Sequence, residues 1–144
     1  MSNTLYEQDF YAWTNRQAEL LRAGRFDRAD IDNIAEEIEA MGRSEKRALV
    51  DRLSQLLLHL LKWRYQPDFR GSSWRLTIEE QRDSIAGHLR DNPSLKSYLD
   101  TAMDDAYRWA RRRAAHETGL PHETFPAACP FPFAVAADME FWPD

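Results

Sequence analysis

The stretch from Leu49 to Pro67, LVDRLSQLLLHLLKWRYQP, decides the fold. Leu49, Leu53, Leu56, Leu57, Leu60 and Leu61 recur with the period of an α-helix and form one apolar stripe. Leu58 widens that stripe until the second half is apolar nearly all round, the pattern of a helix central to a bundle. Ser44 is positioned to cap this helix. Pro67 ends it, because proline has no N–H to donate and disfavours helical backbone in the residue before it. A turn follows over residues 68–73, and the next helix opens on Trp74-Arg75.

The flanking segments read the same way. Residues 6–23 predict a first helix with Phe10, Trp13, Ala18, Leu20 and Leu21 inward, and Gly24 stands where a C-cap glycine belongs. Asp27 or Asp30 can cap a second helix. That helix carries Ile31, Ile34, Ile38 and Met41 on one stripe and ends or kinks at Gly42. Its acids, Asp32, Glu36, Glu37 and Glu39, crowd the first half, where the helix dipole favours them. The helix opened by Trp74 carries Ile78, Ile85 and Leu89. Asn92 then caps, with Pro93 in the first helical position, a helix running to about His116 with Leu95, Tyr98, Leu99, Met103, Ala106 and Ala110 inward. Gly119 ends it. Five of the seven prolines fall in the last 25 residues, interleaved with Phe125, Phe131, Phe133, Phe141 and Trp142. So aromatic a tail reads as an extended strap docked on the bundle or on a second subunit, with room for only a short helix over 133–138. The expectation is an all-α, single-domain bundle of about five helices over 1–119, with a Pro- and aromatic-rich strap over 120–144.

Composition narrows the class. A chain of 144 residues, 43% hydrophobic and 12% aromatic, is long enough for a sizeable core. No apolar run approaches the roughly 20 residues of a membrane span. The opening MSNTLYEQDFYAW has neither a basic start nor an apolar core, so no signal peptide is expected. The single Cys129 cannot form an intrachain disulfide, and without a partnered base it reads as a small hydrophobe, not a nucleophile. These features favour the cytoplasm and no membrane. The net charge of −5 argues against nucleic acid as the main partner. Of the 19 basic residues 16 are arginine, the side chain that forks onto carboxylates and stacks on aromatics, although GC-rich coding produces the same bias.

Three places could carry chemistry. His59 shares a helix face with Lys62 and Gln66, as a general base or metal ligand, or as a core-edge histidine bonded to a carboxylate or carbonyl. Glu36, Glu37 and Glu39 invite a metal, but no Glu-x-x-His occurs, and on an ideal helix at most two of them share a face. A solvated face with ion pairs to Arg43 or Arg47 explains them as well. The corner after the leucine helix carries Trp63, Arg64, Arg70, Trp74 and Arg75. These residues could stack bases or clamp a phosphate, or could tie elements together by Arg–aromatic stacking. Arg111, Arg112 and Arg113 form a short basic run that complements a helix C-terminus. No phosphate-binding glycine loop, Gly-x-Ser-x-Gly or Cys-x-x-Cys occurs.

Tyr6-x-x-Asp9-Phe10-x-x-Trp13, Leu20-Leu21-Arg22-x-Gly24, Ile34-Ala35-Glu36-Glu37-Ile38-Glu39 with Met41-Gly42, and His59-Leu60-Leu61-Lys62-Trp63 with Tyr65-Gln66-Pro67 form an ordered series. It continues in Ser73-Trp74, Ile78, Gln81-Arg82, Cys129-Pro130 and Phe141-Trp142-Pro143. In these motifs the chain resembles the bacterial family of unknown function DUF29, found mostly in cyanobacteria and proteobacteria. The resemblance implies a small helical protein and supplies no activity, cofactor or catalytic residue. Three functions follow from the residues. The first is a non-catalytic interaction or structural module that binds another protein or itself as a homodimer. The second is a metal- or ligand-binding bundle built on Glu36, Glu37, Glu39 and His59. The third is a nucleic-acid-associated protein using Arg64, Arg70, Arg75 and Arg111 to Arg113.

Overall fold

The structure, a computed structural model, describes residues 4–144. Among them every regular element is helical and none is a strand, so the all-α expectation holds. The elements are α1 (Leu5–Gln8), α2 (Phe10–Arg22), α3 (Ile31–Tyr65), α4 (Ser72–Asp91), α5 (Leu99–Thr118) and α6 (Phe133–Ala136), joined in part by 3₁₀ turns at Pro67–Phe69, Pro93–Tyr98 and His122–Thr124. They form two compact units, Met1–Ser44 and Glu45–Asp144.

Three boundaries depart from the sequence reading. The first helix is broken at Asp9, whose backbone leaves the helical region at φ −151° while its carboxylate accepts a hydrogen bond from the Ala12 N–H at 3.0 Å. Asp9 is thus a stop and an N-cap at once, and an aspartate four residues into a helical pattern can play either role. Gly42 neither ends nor caps anything, and Ser44 starts no helix: α3 runs unbroken for 35 residues through both, about 50 Å. A glycine inside a helix costs only about 1 kcal/mol relative to alanine, and the following Glu45-Lys46-Arg47-Ala48 are good helix formers. Asn92 does not cap the element after it. Its side-chain Nδ2 donates back to the His88 carbonyl at 3.1 Å, and Pro93 opens a 3₁₀ turn before α5 begins at Leu99. Gly24 and Gly119 adopt left-handed backbone, φ +72° and +74°, and terminate α2 and α5 as expected.

In the N-terminal unit α2 buries Trp13, Gln17 and Leu20. Around Asp30, just before α3, polar groups knit the unit together. Its carboxylate accepts from the Trp13 indole at 3.0 Å and the Asn33 amide at 2.8 Å, and its own N–H donates to Gln17 Oε1 at 2.7 Å. The Asn33 hydrogen bond, helped by Trp13, holds this carboxyl below the usual carboxylate range against the opposing pull of burial. Tyr6, Phe10 and Trp13 form an aromatic trio with centroids 4.7–5.8 Å apart. Phe10 and Leu21, however, are exposed rather than inward. So are Ile31, Ile38 and Met41, at 51%, 57% and 62%; the stripe they form on α3 is not part of the core.

The C-terminal unit holds the main core. Leu49, Leu53, Leu56, Leu57, Leu60 and Leu61 are all fully buried, and Leu58 nearly so. They pack with Ile78, Ile85 and Leu89 of α4, with Ala102, Met103, Ala106, Tyr107, Ala110 and Ala114 of α5, and with Phe125, Phe131 and Ala136 of the tail. A leucine buried this completely contributes about 1.5–3 kcal/mol of transfer free energy. The small Ala102-Ala106-Ala110-Ala114 ridge provides room for the bulky leucine helix to approach.

Candidate functional site

The corner between α3 and α4 is built around the tail. Trp142 lies 4.8 Å from Trp63, with the Arg75 guanidinium 4.7 Å from its ring and that of Arg82 at 5.3 Å. Arg82 is 2% exposed; its Nε donates to the Ala136 carbonyl and its Nη2 to the Phe141 carbonyl, both at 2.8 Å. Burial lowers its pKa, partly offset by the charges of Asp138 and Glu79. Arg70 repeats the device, donating from Nε to the Trp63 carbonyl at 2.7 Å and from Nη2 to the Pro143 carbonyl at 3.3 Å, with its guanidinium 5.3 Å from the Trp63 ring. Arg111 Nε holds the Phe125 carbonyl at 3.1 Å, and the Tyr107 hydroxyl donates to the Pro126 carbonyl. Burial, the largest influence, pushes that phenol up to about 12. Three arginines and a tyrosine therefore fasten the Pro-rich tail through its main chain, where proline leaves carbonyls without helical partners.

Beside this corner opens a cleft of about 550 Å³, lined among others by Lys62, Gln66, Phe69, Trp74, Arg113 and Glu117. Glu117 accepts from Lys62 Nζ at 2.8 Å and from Arg113 Nε at 2.6 Å. Burial works to raise its pKa, but the two cations outweigh it and hold the carboxyl below its ordinary value. Lys62 also sits 4.9 Å from the Trp74 ring. The charges in the cleft thus answer one another.

The sequence-derived candidates fall as follows. His59 is part-buried on α3, its Nδ1 2.8 Å from the Gln55 carbonyl. A carbonyl only accepts, so Nδ1 carries the proton. Burial lowers its pKa, with Lys62 assisting. Lys62, Gln66 and Trp74 meet in the cleft. Trp63, Arg70 and Arg75 meet at the tail, and Arg64 is exposed. Glu36, Glu37 and Glu39 belong to the N-terminal unit, His59, Lys62 and Gln66 to the other. Glu36 pairs with Arg43 at 3.1 Å, Glu37 accepts from the Tyr6 hydroxyl at 3.3 Å, and Glu39 is exposed. Among the described residues no group of three or more His, Cys, Asp or Glu side chains is placed to hold a metal ion. Cys129 Sγ donates to the Phe131 carbonyl at 3.3 Å, and burial pushes its thiol up, away from the reactive thiolate. Arg82 enters the sequence reading only within a family motif, Tyr107 is not singled out there, and neither is assigned to a site. Arg82 was detectable, since it stands at helical spacing within the stripe Ile78, Ile85, Leu89, where a charge demands a dedicated partner.

Comparison with known families matches residues 5–142 to the family described as Domain of unknown function DUF29, and the chain belongs to that family. No curated protein and no solved structure matches it. The motif residues that carry the likeness have structural work in this chain: Asp9 caps, Trp13 and Glu37 hold the N-terminal unit, and Arg82, Phe141 and Trp142 fasten the tail.

Proposed function

We propose that this DUF29 member is a protein–protein interaction module without catalytic activity. Its C-terminal unit is a scaffold whose specialised side chains are spent on its own tail and cleft. Its N-terminal unit is the contact surface. One observation carries this reading. Of the twelve large hydrophobic side chains exposed among the described residues, eight lie in the N-terminal unit: Leu5, Phe10, Tyr11, Leu21, Phe26, Ile31, Ile38 and Met41. Scattered exposed hydrophobics are ordinary, whereas a concentration of them in one small unit marks an interaction site. Among the described residues no helix is long and apolar enough to cross a membrane.

The test is capture with the full chain as bait, wild type against a variant carrying Ile31→Gln and Ile38→Gln, combined with measurement of the bait's own mass in solution. Both side chains are exposed, so the changes are expected to leave helix content unaltered by circular dichroism. The reading predicts that wild type associates, with itself or with a specific second protein, and that the variant does not. A strictly monomeric wild type that captures the same material as the variant contradicts it.

A further inference from the structure

We infer that the cleft beside the tail corner is a binding site for a small aromatic anion, a flat ring carrying a carboxylate or a phosphate. The cleft lies wholly within the C-terminal unit. The inference therefore goes beyond the contact surface proposed for the N-terminal unit and does not depend on it.

Its volume of about 550 Å³ falls within the range of small-molecule sites. Its lining is of two kinds. Phe69 and Trp74 supply aromatic surface. Phe69 stands on the 3₁₀ turn after α3 and is 68% exposed, a ring left open for another ring to pack against. Lys62, Gln66 and Arg113 supply hydrogen-bond donors.

Glu117 positions these donors without exhausting them. It accepts one N–H from Lys62 at 2.8 Å and the Nε–H of Arg113 at 2.6 Å. An ammonium and a guanidinium each carry further N–H groups, and within the described residues neither Nη of Arg113 donates to a partner. The Trp109 ring, 6.0 Å from the guanidinium, steadies Arg113, and the Trp74 ring, 4.9 Å from Nζ, steadies Lys62. Two cations held by one carboxylate leave a positive charge over. Donors fixed before a ligand arrives lose little freedom in binding it, and charged donors make their strongest hydrogen bonds to anions.

Gln66 is the second observation. It lies one turn beyond Lys62 on α3 and is part-buried at the cleft, yet its side-chain amide makes no hydrogen bond within the described residues. Thr118, which lines the same cleft, uses its hydroxyl on the Ala114 carbonyl and the Leu120 N–H. An ion pair that merely ties α3 to α5 has no use for the Gln66 amide, whereas a bound oxyanion does. A neutral ring would leave the donors unanswered, and a bare inorganic ion would leave the aromatic surface uncovered.

The test follows the Trp74 indole N–H signal of the nitrogen-15-labelled full chain, identified by its absence from Trp74→Phe, during titration with phenyl phosphate and with phenylacetate. At least one is expected to shift it saturably with a half-point of about 1 mM or lower, the strength open to a probe of this size. The tighter of the two tells whether the site is built for a phosphate or a carboxylate. Inorganic phosphate and benzyl alcohol supply the charge and the ring separately, and each is expected to bind at least about tenfold more weakly. Gln66→Leu is expected to weaken binding about fivefold to tenfold at an unchanged urea midpoint, a combination that a purely structural role does not produce. Lys62→Met, which keeps the apolar stem, is expected to abolish binding. No saturable shift with either probe, an equal response to benzyl alcohol or inorganic phosphate, or equal affinity in wild type and Gln66→Leu overturns the proposal. If Lys62→Met fails to fold, Gln66→Leu decides alone. The interaction-module reading stands or falls separately, by capture through Ile31 and Ile38.

Discussion

Arg82 shows how a single buried side chain fixes the course of the tail between Ala136 and Phe141. A guanidinium never gives up its charge in a protein, so burying it requires acceptors, and the acceptors are main-chain carbonyls of Ala136 and Phe141. Arg82→Met is expected to cost about 2 kcal/mol, two charge-assisted hydrogen bonds less the relief of a buried charge. It should also make residues 136–144 cleavable by a protease that spares them in wild type, with helix content kept. Equal cleavage of both proteins would show that the aromatic contacts alone seat the tail. Two other residues predict the response to acid. The neutral form of His59 is favoured in the folded state, so its contribution to stability is complete above the ordinary histidine value of 6.5 and is lost as pH falls below it. Glu117 is held ionised, so its contribution is complete above 4.5 and is lost as pH falls further. Urea midpoints should be level from pH 8 to 7, decline below 6.5 and decline again below 4.5. His59→Asn should remove the first decline. A wild-type profile level from pH 7 to 5 would contradict the assignment.

At the scale of elements, α3 is the organising piece, and its two halves differ in kind. From Leu49 to Leu61 its apolar side chains are covered by α4, α5 and the tail. From Ile31 to Met41 they are largely uncovered. Leu57→Ala is expected to cost about 2–5 kcal/mol by denaturant unfolding, the range for a fully enclosed leucine that leaves a cavity. A cost under 1 kcal/mol would mean the stripe faces the wrong way. The leucine half was legible because periodicity at high apolar content has one reading. The isoleucine half was legible only as a stripe, because a stripe says that a face is apolar without saying what covers it. Gly42 was misread as a stop, since glycine tolerates a helix interior as well as an end, and only its φ distinguishes the two.

At the scale of the whole molecule, fold class, the glycine caps after α2 and α5, and the family were open to sequence reasoning. They depend on local periodicity, on positive φ and on ordered motifs. The assignment of the corner was not, because it turns on pairs far apart in sequence, Arg70 with Pro143 and Arg82 with Phe141. Of the Trp and Arg residues singled out there, Trp63, Arg70 and Arg75 contact the tail, whereas Trp74 lines the cleft and Arg64 is exposed. What remains without an internal partner is the apolar face of the N-terminal unit. Amide hydrogen exchange over residues 31–44, followed at rising protein concentration, tests this most directly. The account predicts that these amides exchange more slowly as concentration rises or when a captured partner is added, while those of 49–61 stay slow throughout. Exchange over 31–44 that is independent of concentration, and of any captured partner, would contradict it.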